Sequence, residues 1–153
     1  LGTLGEQERM DGSVISDAVN LCSRLESLSR LYGECIVVTG ETLSRLDRKR
    51  GYGTRFLDRV RVRGRKAAVL VYEVYDGDTD ELREAKARTK ARWAEALELY
   101  YGRRFLDAYR RLRELRRESP KDPAVALYLR RSIPLVKGGA PAGWDGVEVI
   151  DLK

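Results

Sequence analysis

Arg9-Met-Asp-Gly-Ser-Val-Ile-Ser-Asp-Ala-Val-Asn-Leu-Cys-Ser-Arg-Leu-Glu26 is the stretch from which the rest of this 153-residue chain is best read. From Asp17 to Leu31 the apolar residues Ala18, Leu21, Cys22, Leu25 and Leu28 recur at three- and four-residue steps. That spacing is the stripe of an amphipathic helix. Ser16 or Asp17 is available as its cap, and Gly33 is placed to stop it. Asn20 and Arg24 stand four apart and so share a helix face, one distinct from the apolar stripe. An amide beside a guanidinium suits a phosphate and a sugar oxygen, and it also suits a solvated helix face.

The sequence on either side alternates between strand and helix patterns. Leu1 to Gly5 reads as a strand end or tight turn and Glu6 to Gly12 as a polar loop. Cys35-Ile-Val-Val38 reads as a short buried strand, after which Thr39 caps a short helix reaching Leu46. A basic loop over Asp47 to Gly53 precedes a strand over Phe56 to Val62. A second strand runs from Val69 to Tyr75, and Arg63-Gly-Arg-Lys66 connects the two as an antiparallel hairpin. Asp76-Gly-Asp-Thr-Asp80 changes the composition abruptly, and from Glu81 to Val136 the pattern is helical. Trp93, Leu97 and Tyr100 line one helix; Phe105, Ala108, Leu112 and Leu115 line the next. Ser119-Pro120 ends that helix, and Asp122-Pro123 starts a third with aspartate as cap and proline at the first helical position. Gly138 to Gly143 reads as a linker, and Trp144 to Leu152 as a closing strand.

Composition narrows the chemistry. With 42% hydrophobic and 35% charged residues the chain can build a packed core, and no apolar run approaches a membrane span. The start, Leu-Gly-Thr-Leu-Gly, is unlike a signal peptide. The absence of histidine removes histidine-based triads and histidine general bases. The two cysteines, Cys22 and Cys35, argue against a disulfide scaffold and suit a reducing cytoplasm. The net charge of +6 raises the question of anionic partners. Residues 83–118 hold twelve Lys and Arg against six acids, a mixed pattern that suits a solvated helix face. Arg59, Arg61, Arg63, Arg65 and Lys66 lie within eight residues free of acids. No nucleic-acid recognition motif accompanies them, so nucleic acid ranks last among the partners.

The run from Asp11 to Glu26, D-G-S-V-I-S-D-A-V-N-L-C-S-R-L-E, resembles D-Y-T-V-I-G-D-A-V-N-L-A-A-R-L-E of the class III nucleotidyl cyclases. The resemblance continues through Tyr32-Gly33 and the strand at Ile36 to Val38. Val60-Arg-Val-Arg-Gly-Arg65 followed by Val69 to Val74 resembles the family's closing V-K-V-K-G-K hairpin, and Gly2-Thr-Leu-Gly5 its G-N-I-G turn. About residues 1 to 76 are covered. The resemblance implies an α/β (α+β) fold with a partial ferredoxin-like cyclase sheet. It implies that Asn20 orients the ribose of ATP and that Arg24 stabilises charge at the α-phosphorus. It also implies that Ser13 contacts the base and Arg63 holds the terminal phosphates. The alternative for Arg63 is a strand-edge charge that deters aggregation. Gly12 and Ser16 stand where the family has tyrosine and glycine, which keeps open an inactive cyclase-like regulatory domain as the second reading.

The same resemblance places the two metal-binding aspartates, and the lysine that reads the purine, on strands upstream of Leu1. Mg²⁺ or Mn²⁺ is thus expected in the complete enzyme but not on this chain, whose own activity is expected to be nil. The resemblance further implies a homodimer with the active site at the subunit seam, and a need for the missing N-terminal half of the domain. Residues 89 to 123 resemble a single tetratricopeptide-type helix pair, with Ala108 and Pro120 twelve apart. Such a pair cannot bury its own face, so it is expected to dock on the third helix or the sheet and to offer a protein partner a site. Trp93 and Trp144 are expected as core at those contacts. The expected domains are 1–78 for the cyclase half, 79–137 for the helical extension and 138–153 for a linker and tail. The tail Pro141-Ala-Gly-Trp-Asp-Gly-Val147 resembles endings of membrane-anchored bacterial cyclases, which implies the cytoplasmic side of a membrane.

Overall fold

A computed structural model gives the placement of residues 28–34, 36–47, 50–62 and 67–150. Residues 28–32 are helical and form the described part of α1, with Leu28 and Tyr32 buried one turn apart. Gly33 ends the helix at a φ of 69°, a left-handed conformation that costs an L-residue about 1–2 kcal/mol. A Cβ at this position would also stand 2.9 Å from the Cβ of Pro123. Gly51 has a similar φ of 64° but open space around it. Gly33→Ala is therefore expected to lower stability more than Gly51→Ala, by at least about 1 kcal/mol in urea unfolding. Equal losses would show that the Pro123 contact yields freely.

Among the described residues four strands follow from the alternating segments: β1 (Val37–Thr39), β2 (Thr54–Val62), β3 (Val69–Val74) and β4 (Glu148–Ile150), in the order β1-β3-β2-β4. The expected hairpin is present, with β2 and β3 antiparallel and Val60 paired with Val69. β4 closes the other side by pairing parallel to the end of β2, Val60 with Glu148. The first strand differs from its expected buried setting. Among the described residues β1 lies at the sheet edge, paired only with β3, and Val37 and Val38 are half-buried. Thr39 caps α2 (Gly40–Arg45) as expected, its hydroxyl accepting from the Thr42 amide at 3.1 Å.

β2 is irregular. Phe56 pairs with Tyr72 and Asp58 with Val71, so Leu57 is an extra residue in the ladder, a β-bulge. As a result Leu57 and Asp58, neighbours in sequence, are both buried against the same layer of helices. That layer consists of α3 (Asp80–Tyr101), α4 (Phe105–Glu118) and α5 (Pro123–Gly138). Phe105, Ala108, Leu112 and Leu115 are the buried residues of α4, at the spacing read from the sequence. Asp122 caps α5 by accepting from the amides of Ala124 and Val125 at 3.1 and 3.2 Å. None of the described helices is long and apolar enough to cross a membrane.

The architecture is α+β, and one core serves both parts. Leu28, Tyr32, Leu57, Val60 and Val71 form a single buried cluster with Trp93, Leu97, Tyr100, Leu112 and Tyr128. The cluster runs straight across residue 78, where the sequence changes composition. Trp93 is buried, and Trp144 packs half-buried with its ring 5.6 Å from Tyr100 and 5.3 Å from Phe105.

Candidate functional site

Ser13, Asn20, Arg24 and Arg63 all lie outside the described residues. What the structure shows is how the neighbouring elements are held. Tyr32, at the end of α1, is fixed in the core, and its hydroxyl donates to Asp58 Oδ2 at 2.6 Å. The strands on either side of the 63–66 connection are paired up to Val60 and Val69. Both anchors rest on β2, and β2 in turn rests on two polar networks that join the sheet to the helices.

The first network surrounds Arg55 and Lys86, both fully buried. Arg55 donates through Nε to Glu73 and through Nη1 and Nη2 to the two Asp122 oxygens, at 2.7 and 2.8 Å. Its guanidinium lies over the Trp93 ring, 4.5 Å from the centroid. Lys86 Nζ donates to Glu34 Oε2 at 2.5 Å and to Glu73 Oε2 at 2.7 Å, and it lies 2.8 Å from Asp78 Oδ2. The network thus ties the α1–β1 connection, β2, β3, α3 and the cap of α5 together through charge. Burial pushes the Glu34 carboxyl above its ordinary value, and the nearby Lys86 and Arg55 only partly offset this. At Asp122 burial also pushes upward, but Arg55 outweighs it and holds the carboxyl below its usual range.

The second network is centred on Asp58. Its Oδ2 accepts from Tyr32 and from Arg131 Nη1 at 2.5 Å; its Oδ1 accepts from Tyr101 at 2.7 Å and from the Arg59 amide at 2.7 Å. The bulge leaves two carbonyls of β2 to be satisfied from the helices. Trp93 Nε1 donates to the Phe56 carbonyl at 2.7 Å, and the Tyr128 hydroxyl to that of Leu57 at 2.8 Å. Burial, with the Asp58 charge adding to it, pushes the phenols of Tyr32 and Tyr101 far above their ordinary value; Tyr100 is raised to about 12, chiefly by burial. Burial disfavours the Arg131 cation, but Asp58 more than restores it and raises its pKa. These groups are locked in fixed protonation states near neutrality, which suits structure and not proton transfer.

Among the described residues one set of three carboxylates, Glu34, Glu73 and Asp78, brings its oxygens within 4.8 Å of one another. A divalent ion does not fit there, because Lys86 Nζ already stands between the three groups. Sequence reasoning missed both networks. The one signal that pointed toward them was Asp122 as a helix cap, which also turned out to be the partner of Arg55.

Comparison with known proteins carries the reading further. An adenylate cyclase of Dictyostelium discoideum, described as terminal-differentiation specific, is 29% identical over 138 residues, 90% of this chain. A likeness that long takes in both the sheet and the helices. The adenylate cyclase of Anabaena cylindrica is 39% identical over 75 residues, and adenylate cyclase 1 of Rhizobium meliloti (strain 1021) 31% over 74, each about 48% of the chain. The chain spans only 6%, 15% and 11% of the length of these three relatives. No protein-family model and no solved structure matches it. Taken with the motifs of residues 1 to 76, these likenesses to adenylate cyclases support a class III cyclase-related domain.

Proposed function

We propose that the protein carrying this chain is an adenylate cyclase that converts ATP to cyclic AMP and pyrophosphate in intracellular signalling. The observation that carries this is the register of Asp11 to Glu26, which puts Ser13, Asn20 and Arg24 at the family's substrate positions together. In the reaction the ribose 3′-oxygen forms a bond to the α-phosphorus, and the bond from that phosphorus to the departing pyrophosphate breaks. Asn20 orients the ribose. Arg24 stabilises the charge that builds on the phosphoryl oxygens, an electrostatic contribution realised mostly in the transition state. Ser13 contacts the base and Arg63 the terminal phosphates, where its planar fork can take two oxygens at once. Divalent metal ions belong to residues outside this chain, as does the second half of the site, supplied across a homodimer seam.

Full-length protein given ATP and Mn²⁺ is expected to form cyclic AMP. Asn20→Ala and Arg24→Ala are each expected to cut kcat by at least about tenfold with KM changed less. Unchanged kcat in both variants would end the assignment of roles. A second reading rests on Gly12 and Ser16, the two departures beside the substrate position. It makes the domain a catalytically silent regulator, and it predicts a full-length protein that neither binds nor turns over ATP.

A further inference from the structure

Arg131 of α5 touches three separate parts of the chain. Its Nη1 donates to Asp58 Oδ2 on β2 at 2.5 Å, and its Nη2 lies 3.3 Å from Glu148 Oε2 on β4. Its guanidinium carbon stands over the Tyr32 ring of α1, 5.8 Å from the centroid. The Tyr32 hydroxyl donates to the same Asp58 oxygen, so helix end, strand and arginine close a triangle. The arginine side chain is only 15% exposed.

Stability alone is a poor reason for such an arrangement. Both charges give up water to be buried, and apolar residues of similar volume often hold a fold equally well. What a buried pair supplies is one fixed arrangement of the elements it joins. A planar fork shared between Asp58 and Glu148, and lying on a ring, is satisfied in a single orientation. Two further contacts grip the same end of α1 from the helical half. Gly33 lies so near Pro123 that a Cβ would stand 2.9 Å from the proline Cβ, and Lys86 holds Glu34. At the other end of β2, β4 pairs with Val60 to Val62, directly before Arg63, and Arg61 donates to Asp145 at 2.8 Å.

From this geometry we infer that Arg131 is a positioning residue, through which the helical extension sets the end of α1 against β2. The inference rests on the cyclase reading, because what it positions is the pair Asn20 and Arg24. The helical spacing read from Asp17 to Leu31 runs into the described turn at 28–32, and Arg24 and Asn20 precede Tyr32 by eight and twelve residues. A displacement of that turn by about 1 Å is enough to cost a reaction much of its rate when catalytic groups move with it. Arg131 itself touches no substrate and acts only through α1 and β2. The helical extension is thereby part of the framework of the substrate site.

The test uses full-length protein with ATP and Mn²⁺, at a temperature where circular dichroism shows every variant folded. Arg131→Met is expected to lower kcat at least about tenfold, with KM for ATP changed less than about threefold. Arg131→Lys keeps a charge on Asp58 without the fork and is expected to fall between parent and methionine variant; it carries the test alone if Arg131→Met does not fold. In an Asn20→Ala/Arg24→Ala background the Arg131 substitution is expected to cost less than about twofold, because the groups it positions are gone. Leu112→Ala, which truncates a buried residue of α4 that makes none of these contacts, is expected to keep kcat within about twofold. An active parent whose Arg131 variants keep their kcat overturns the inference and leaves the cyclase reading standing. So does a loss that is equally large in the double-alanine background, or one matched by Leu112→Ala. A parent that forms no cyclic AMP overturns the cyclase reading and this inference with it.

Discussion

Lys86→Met is expected to lower the unfolding free energy by about 3–5 kcal/mol, the usual loss when one member of a buried ion network is removed. Lys86 has no exposed surface, and its ammonium holds Glu34, Glu73 and Asp78 within reach of one another. Methionine fills most of the volume, so the loss reports charge and not a cavity. The pH dependence tests this point. Burial already raises the folded-state pKa of Glu34, and Lys86 is the largest force lowering it. Without the lysine, the folded-state pKa of Glu34 rises further above its unfolded value. The native variant then binds more protons than its unfolded chain, and its stability increases as pH falls. The gap between variant and parent should accordingly be widest above pH 7 and narrow toward pH 5, in urea unfolding followed by the fluorescence of Trp93 and Trp144. Adding Glu73→Gln should recover part of the loss, since it removes one of the unbalanced charges. A loss below about 1 kcal/mol that does not vary with pH would show that the carboxyl groups are already neutral without help from Lys86.

That prediction also marks where sequence reasoning reached its limit. Helix positions in α3 to α5 were legible because burial there follows a 3.6-residue period, and Trp93, Leu97, Ala108, Leu112 and Leu115 fall on it. Lys86 was not legible, because in Glu84-Ala-Lys-Ala-Arg-Thr-Lys90 it looks like any solvated lysine. Its partners lie 52 and 13 residues away in the chain, and only the folded chain brings them together. Arg55 stands just before the strand expected over Phe56 to Val62 and Glu73 is the one charged residue of the second strand, yet both are buried on the covered side of the sheet. The bulge at Leu57 was invisible for a related reason. A period of two assigns Leu57 and Asp58 to opposite faces, and the extra residue puts both on one. The composition change at Asp76 to Asp80 is real as sequence, yet the buried cluster passes through it, because exposed acids in a connection say nothing about what packs on either side. Asn20, Arg24, Ser13 and Arg63 became candidates through a resemblance, with only the four-residue spacing of Asn20 and Arg24 as physical support.

The second large effect is expected at Asp58. Asp58→Ala leaves Arg131 without its buried counter-ion and removes the acceptor for Tyr32, Tyr101 and the Arg59 amide. A loss of about 3–5 kcal/mol follows from breaking this buried ion pair alone. Tyr32→Phe provides the scale. It removes a single donor from an acceptor that keeps its other partners, for which about 0.5–1.5 kcal/mol is expected. Asp58→Asn should fall between the two, since the amide retains one accepting oxygen but presents N–H groups where hydroxyls and a guanidinium already donate. The order Ala, Asn, then Tyr32→Phe is therefore the test, read from urea midpoints at pH 7. Should Asp58→Ala cost no more than Tyr32→Phe, Arg131 must have found another acceptor, and Glu148, 3.3 Å from its Nη2, is the group placed to serve. In that event the bulge is held chiefly by Trp93 and Tyr128 on the two β2 carbonyls. The same reasoning then predicts that Tyr128→Phe is the more damaging change, because it removes the hydroxyl that donates to the Leu57 carbonyl.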